Sequence, residues 1–166
     1  MGDRIFSRWE NQALETKYLL ISVRSEYADK LLSAQKTIEL RRKFPAHIPP
    51  NTPFLIYSSR GDQAVVAKGI VSKVVELGIS ELWQRAKDHA SVTRAAFNEY
   101  FEGLEQGFAI FVENVVRTKS QTPAALLKTK FNIVPPQSFR YLSEVEYELL
   151  AGGDENLDRH EYNHRP

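Results

Sequence analysis

Ser33-Ala34-Gln35-Lys36-Thr37-Ile38-Glu39-Leu40-Arg41-Arg42 is the stretch on which the fold turns. Ile38 and Leu40 alternate with Thr37, Glu39 and Arg41, and this period of two predicts a half-buried strand over 37–42. Upstream, Tyr27, Ala28, Leu31 and Leu32 recur at helical spacing. Ser25 suits an N-cap and Glu26 the positive end of a helix, so 26–33 reads as a short amphipathic helix. Before it, Tyr18 to Val23 is an apolar run of strand length. The unit is strand, short helix, strand, with Lys36 at the turn between the last two.

Downstream, Pro45, Pro49, Pro50 and Pro53 force a loop over 43–53. Phe54 to Tyr57 is a compact buried strand, and Arg60-Gly61-Asp62 is turn chemistry. Ala64 to Val75 is a long strand interrupted by Gly69, where a bulge or bend would curl a small sheet. Helices are predicted over 81–89 and 92–104, the second capped by Ser91 and carrying Val92, Ala96, Phe97, Tyr100, Phe101 and Leu104 as a core-facing stripe. A strand over 108–116 follows Gly107. Thr122-Pro123 opens a short helix through Leu127, and a last strand spans 139–142. Parallel βαβ alternation would need more crossover helices, so the order predicts an α+β fold built on a small mixed, mostly antiparallel β-barrel flanked by short helices. Residues 1–16 read as a lead-in, 17–150 as the domain and 151–166 as a disordered acidic tail.

Composition narrows the chemistry. The chain contains no cysteine, which excludes disulfides, thiol nucleophiles and cysteine-based zinc sites. No apolar run approaches the roughly 18 residues that span a bilayer, and Met1 to Arg8 has no apolar signal core, so a cytoplasmic protein without membrane attachment is expected. The net charge of +1 hides a segregation: ten Lys or Arg face four Asp or Glu between Lys17 and Lys73. Blocks of one sign attract an anion even when the total is near zero.

Lys36, Thr37, Glu39, Arg41 and Arg42 gather cations, a hydroxyl and a carboxylate within seven residues. Such a set can hold a phosphate and hydrogen-bond a base edge. The same residues also fit a solvated strand face on which Glu39 and Arg41 merely pair. Tyr57, Ser58, Ser59, Arg60 and Lys68 are candidate contacts at the rim, with hydroxyl, guanidinium and ammonium donors suited to phosphate oxygens. Lys119, Lys128, Lys130 and Arg140, interleaved with Phe131 and Tyr141, form a second basic and aromatic zone. His160 and His164 stand at i and i+4 without a third ligand nearby, so no metal and no other cofactor is expected.

Leu20-Ile21-Ser22-Val23, Glu26-Tyr27-Ala28, Lys36 to Arg42 and Phe54 to Ser59 together resemble the ASCH domain (activating signal cointegrator homology) of the PUA-like superfamily. Tyr100-Phe101-Glu102-Gly103 and Pro135-Pro136-Gln137-Ser138-Phe139 extend the likeness over residues 18–142, and Lys-Thr-x-Glu-x-Arg is its most specific part. The resemblance implies a PUA-like barrel with a cleft beside the first helix that binds RNA or a modified nucleotide. Some family members are amidohydrolases acting on N4-acetylcytidine, and ribonuclease activity has been proposed for others. The amidohydrolase cleft offers a Lys and a Thr from this segment. Lys36 matches that Lys, whereas Glu39 stands in the place of the Thr and Ala34 in that of a glycine.

The expected function is binding of RNA, or of single-stranded nucleic acid, through Lys36, Thr37, Glu39, Arg41, Arg42, Tyr57, Ser58, Ser59, Arg60 and Lys68. The alternative is hydrolysis of an N4-acetylcytidine-like nucleoside, or of RNA, with Lys36 as base or nucleophile and Glu39 as its partner. A third reading is a protein-interaction module that engages its partner through the acidic tail.

Overall fold

Local sequence sets where each strand or helix begins and ends, and long-range pairing decides what they enclose. The computed structural model describes residues 17–152. Its elements are β1 (Tyr18–Val23), α1 (Ser25–Leu32), β2 (Ile38–Arg41), β3 (Thr52–Ser58), β4 (Ala64–Gly78), α2 (Ile79–Ala86), α3 (Arg94–Tyr100), β5 (Gln106–Pro123), α4 (Ala124–Phe131), β6 (Phe139–Leu142) and α5 (Glu144–Ala151). The expected lead-in, and the tail beyond Gly152 with its His160 and His164, lie outside the described residues. No helix among the described residues is long and apolar enough to cross a membrane.

The strands form one six-stranded sheet in the order β2-β5-β4-β3-β1-β6. Only β1 and β3 run parallel, and every other pair is antiparallel. The apolar run of β1, broken only by Ser22, follows from its place between two strands with both faces covered. Leu19, Ile21 and Val23 enter a core beneath α1 that also takes Phe44, Phe54 and Ile56. Leu20, on the opposite face, joins Leu55, Leu127, Ile133 and Leu150 under α4 and α5. A third cluster packs Ile38 and Leu40 of β2 against Leu82, Phe97 and Phe101 of α2 and α3.

The mixed α+β architecture is as expected, but the barrel is not closed. β2 and β6 are the outer strands of an open sheet. Both are four residues long, and the proline-rich stretch after Arg42 stops β2 before it can build a second ladder. Side chains cross the seam instead. Arg41 Nη2 donates to the Ser22 carbonyl at 2.6 Å, and Nη1 reaches Ser138 Oγ at 3.5 Å. Gly69 does sit at an irregularity, where the β4–β5 register shifts between Lys68 and Ile70. A Cβ there would lie 2.8 Å from the Phe54 ring, so only glycine lets that ring fill the bend.

Several helix starts differ from expectation: Arg24, not Ser25, stands at the N-cap of α1, and Pro123 stands at the N-cap of α4, one place before the first helical residue. Thr93, not Ser91, caps α3, its Oγ1 accepting from Ala96 N at 3.1 Å. Ser91 takes a positive φ of 53° and donates from Oγ to the Gln35 carbonyl at 3.0 Å. The acidic stretch after Ser143 forms α5, opened by a reciprocal capping box between Ser143 and Glu146.

Just past α1, Ala34 is held at φ +59°, its N–H donating to the Leu31 carbonyl at 3.2 Å. This is the left-handed exit that glycine takes without a Cβ penalty. Ala34→Gly is expected to raise the free energy of unfolding by about 0.5–1 kcal/mol, read from the urea midpoint at unchanged m.

Candidate nucleic-acid interface

β1 and β3 run parallel and end at the same side of the sheet, and β2 lies across the seam from β1. Between them a cavity of about 680 Å³ opens, within the range of small-ligand pockets. Ser22, Val23 and Arg24 line it from the end of β1, Tyr27 from α1, and Lys36 with Glu39 to Arg42 from the turn and β2. Ser59 follows β3 and Gln137 precedes β6. The far wall is Val92 with Ala96, Phe97, Glu99 and Tyr100 of α3. Arg24, Lys36, Arg41 and Arg42 thus face Glu39 and Glu99, four cations against two carboxylates.

Alternation along β2 sends Ile38 and Leu40 into the third core and leaves Glu39 and Arg41 toward the cavity. Glu39 is the junction. Its Oε2 lies 3.2 Å from Lys36 Nζ and its Oε1 3.0 Å from Arg41 Nη2. Lys36 is 3% exposed; Nζ donates to the Ala90 carbonyl at 2.8 Å and stands 5.0 Å from the centre of the Tyr27 ring. Desolvation pulls the Lys36 pKa below its ordinary 10.5, and the Glu39 carboxylate opposes that fall. Arg41 Nη2 and Nη1 are taken up by Glu39 and the seam, whereas its buried Nε has no protein partner.

Arg42 is exposed and donates from Nη1 to the Tyr100 carbonyl at 3.2 Å. Arg24 is exposed and forms no ion pair among the described residues. Tyr100 is 41% exposed, unlike Phe97 and Phe101 of the same stripe, and desolvation raises its phenol pKa, so its O–H stays protonated at neutral pH.

Of the residues singled out from sequence, Lys36, Glu39, Arg41, Arg42 and Ser59 come together at the cavity. Thr37 does not line it: its N–H donates to the His89 carbonyl at 2.8 Å and its carbonyl accepts from Val112. Tyr57 is buried in the second core, on the other face of the sheet. Ser58 is fully buried, with Oγ 3.4 Å from the Arg60 carbonyl. Arg60 is exposed in the turn, and Lys68 stands in mid-β4 opposite Leu55, both away from the cavity lining. Arg24 and Tyr100 were not anticipated. Tyr100 carries the one polar tip in an aromatic stripe, which was the available signal. Among the described residues no cluster of His, Asp and Glu could hold a metal ion.

No protein-family model matches the chain. It is 27% identical over 138 residues to the ASCH domain-containing ribonuclease of Zymomonas mobilis, a match covering 82% of this chain and 92% of the relative. The crystal structure of ASCH from Zymomonas mobilis superposes with a TM-score of 0.73 at 27% identity, over 80% of this chain and 92% of that one. The N-terminal domain of Staphylothermus marinus McrB matches with a TM-score of 0.51 at 9% identity, over 80% of this chain and 92% of that one, a likeness of fold alone.

The depressed Lys36 pKa fixes the sign of a pH effect. The unfolded lysine holds its proton to higher pH than the folded one, so between the two values unfolding takes up a proton. Stability conferred by this group therefore rises as pH climbs toward 10.5. Lys36→Met removes that linkage. The stability difference between wild type and Lys36→Met is expected to move in favour of wild type over an alkaline urea-denaturation series.

Proposed function

The chain carries an ASCH domain, and from that premise we propose that the cavity between β1, β2 and α3 binds RNA. The observation that supports this reading most directly is an excess of positive charge around an open cavity with an aromatic wall. Arg24 and Arg42 are the exposed cations suited to phosphate oxygens, with Ser59 and Gln137 as neutral donors. Tyr100 offers a ring face to a base that has left its stack, an arrangement that favours single strands over duplex.

A second reading, cleavage of the bound strand, is favoured by the relative's identity as a ribonuclease and by the setting of Glu39. The two cations fix the orientation of the carboxylate, and each oxygen keeps a second lone pair that can receive a proton. In this reading the 2′-oxygen attacks phosphorus while Glu39 accepts the 2′-hydroxyl proton. The bond from phosphorus to the 5′-oxygen breaks, and Tyr100 supplies the proton that the leaving oxygen requires. The products are a 2′,3′-cyclic phosphate and a 5′-hydroxyl.

An unstructured labelled oligoribonucleotide separates these cases. Binding is expected to weaken steeply with salt, and Arg42→Ala to remove about 0.7 from the slope of log K against log salt. Glu39→Gln is expected to reduce any cleavage by about 10²–10⁴-fold. Turnover of free N4-acetylcytidine, with no affinity for the oligoribonucleotide, would replace both readings by the nucleoside hydrolase.

A further inference from the structure

Lys36 is the residue that sequence marks first as an RNA contact, yet its surroundings leave it little to offer a ligand. Its side chain is 3% exposed. Nζ has an acceptor at 2.8 Å in the Ala90 carbonyl, another at 3.2 Å in Glu39 Oε2, and the Tyr27 ring on a third side. Two of the three ammonium hydrogens have these oxygen acceptors, and the ring face covers the remaining side. A phosphate reaching Nζ would have to displace one of these neighbours.

The partners also show what Lys36 does. The segment after α2 is fastened to the start of β2 at several points. The His89 carbonyl accepts from both Thr37 N and Ile38 N, at 2.8 and 3.1 Å, and Ser91 Oγ donates to the Gln35 carbonyl at 3.0 Å. Lys36 adds the bond to Ala90 and thereby carries this anchorage to Oε2 of Glu39, while Arg41 holds Oε1 from the seam. The carboxylate is gripped on both oxygens by groups that are themselves fixed to main chain. A rigidly oriented group is worth more to a bound partner than a mobile one, because less ordering remains to be done on binding.

We infer that Lys36 is a positioning residue that acts on RNA only through Glu39, and that the phosphate-contacting cations of this cavity are Arg24 and Arg42. The inference rests on the RNA reading of the cavity.

The test measures affinity of the full chain for an unstructured labelled oligoribonucleotide across a salt series, for wild type, Lys36→Met, Arg42→Ala, Glu39→Gln and the Lys36→Met/Glu39→Gln pair. Lys36→Met is expected to weaken binding about tenfold with the wild-type salt slope, whereas Arg42→Ala lowers the slope by about 0.7. In the Glu39→Gln background, Lys36→Met is expected to add less than about twofold, the signature of two residues acting as one unit. A salt slope that falls in Lys36→Met as it does in Arg42→Ala, or losses that multiply in the pair, would overturn the inference.

Circular dichroism checks the fold of each variant. If Lys36→Met does not fold, Lys36→Gln, which keeps a donor for the Ala90 carbonyl without the charge, is read by the same criteria. Wild-type protein that binds no RNA defeats the proposed function and the inference with it, an outcome distinct from RNA that binds but whose salt slope falls in Lys36→Met.

Discussion

One carboxylate between two cations organises the region around the cavity. Glu39 holds Lys36 on one oxygen and Arg41 on the other. Neither cation would be stable so far from water with an apolar residue in its place, because an unpaired buried charge is strongly disfavoured. The pairing neutralises only part of the local charge. What remains positive is displaced to the rim, where Arg24 and Arg42 stand in solvent. The interior of the cavity is therefore a scaffold, and its mouth is the electrostatic surface.

The same network explains why the sheet stays open. A barrel would close by main-chain pairing between its outer strands, yet Arg41 occupies that space and bonds to Ser22 and Ser138. Ser22 is drawn in from the other side, its N–H donating to the Ser138 carbonyl at 2.9 Å and its Oγ to the Pro136 carbonyl. A side-chain bridge spans a wider gap than a strand ladder, and that width leaves room for a ligand. Function and fold share one device here: the guanidinium that stands in for a missing ladder also holds Glu39.

Much of this was legible in the chain. β1 and β6 have the bounds expected of them, and alternation correctly divided Ile38 and Leu40 from Glu39 and Arg41. The motif around Lys36 also pointed to the ASCH domain, the domain carried by the Zymomonas mobilis relative to which this chain is similar. The losses have a common cause. Whether Tyr57 points into the cavity or into the second core depends on which strands flank β3, and that is set by partners elsewhere in the chain. Ser58 and Lys68 were misplaced for the same reason. α5 was overlooked because its acidic residues read as a solvated run, although Ser143 and Glu146 already spelled a helix start. Tyr100 sat within a stripe whose other aromatic members, Phe97 and Phe101, do pack, and only the position of α3 beside the seam exposes its ring.

The placing of β1 carries a consequence for how the chain matures. This strand lies between β3 and β6, and Ser22 is bonded to a residue 114 positions further along. During synthesis β1 meets β3 early, but its other edge stays bare until almost the whole domain has left the ribosome. Contacts of such long sequence separation form slowly, and a bare, highly apolar edge invites association with other chains in the meantime. The last strand to emerge is thus the one that makes a nascent molecule safe from its neighbours.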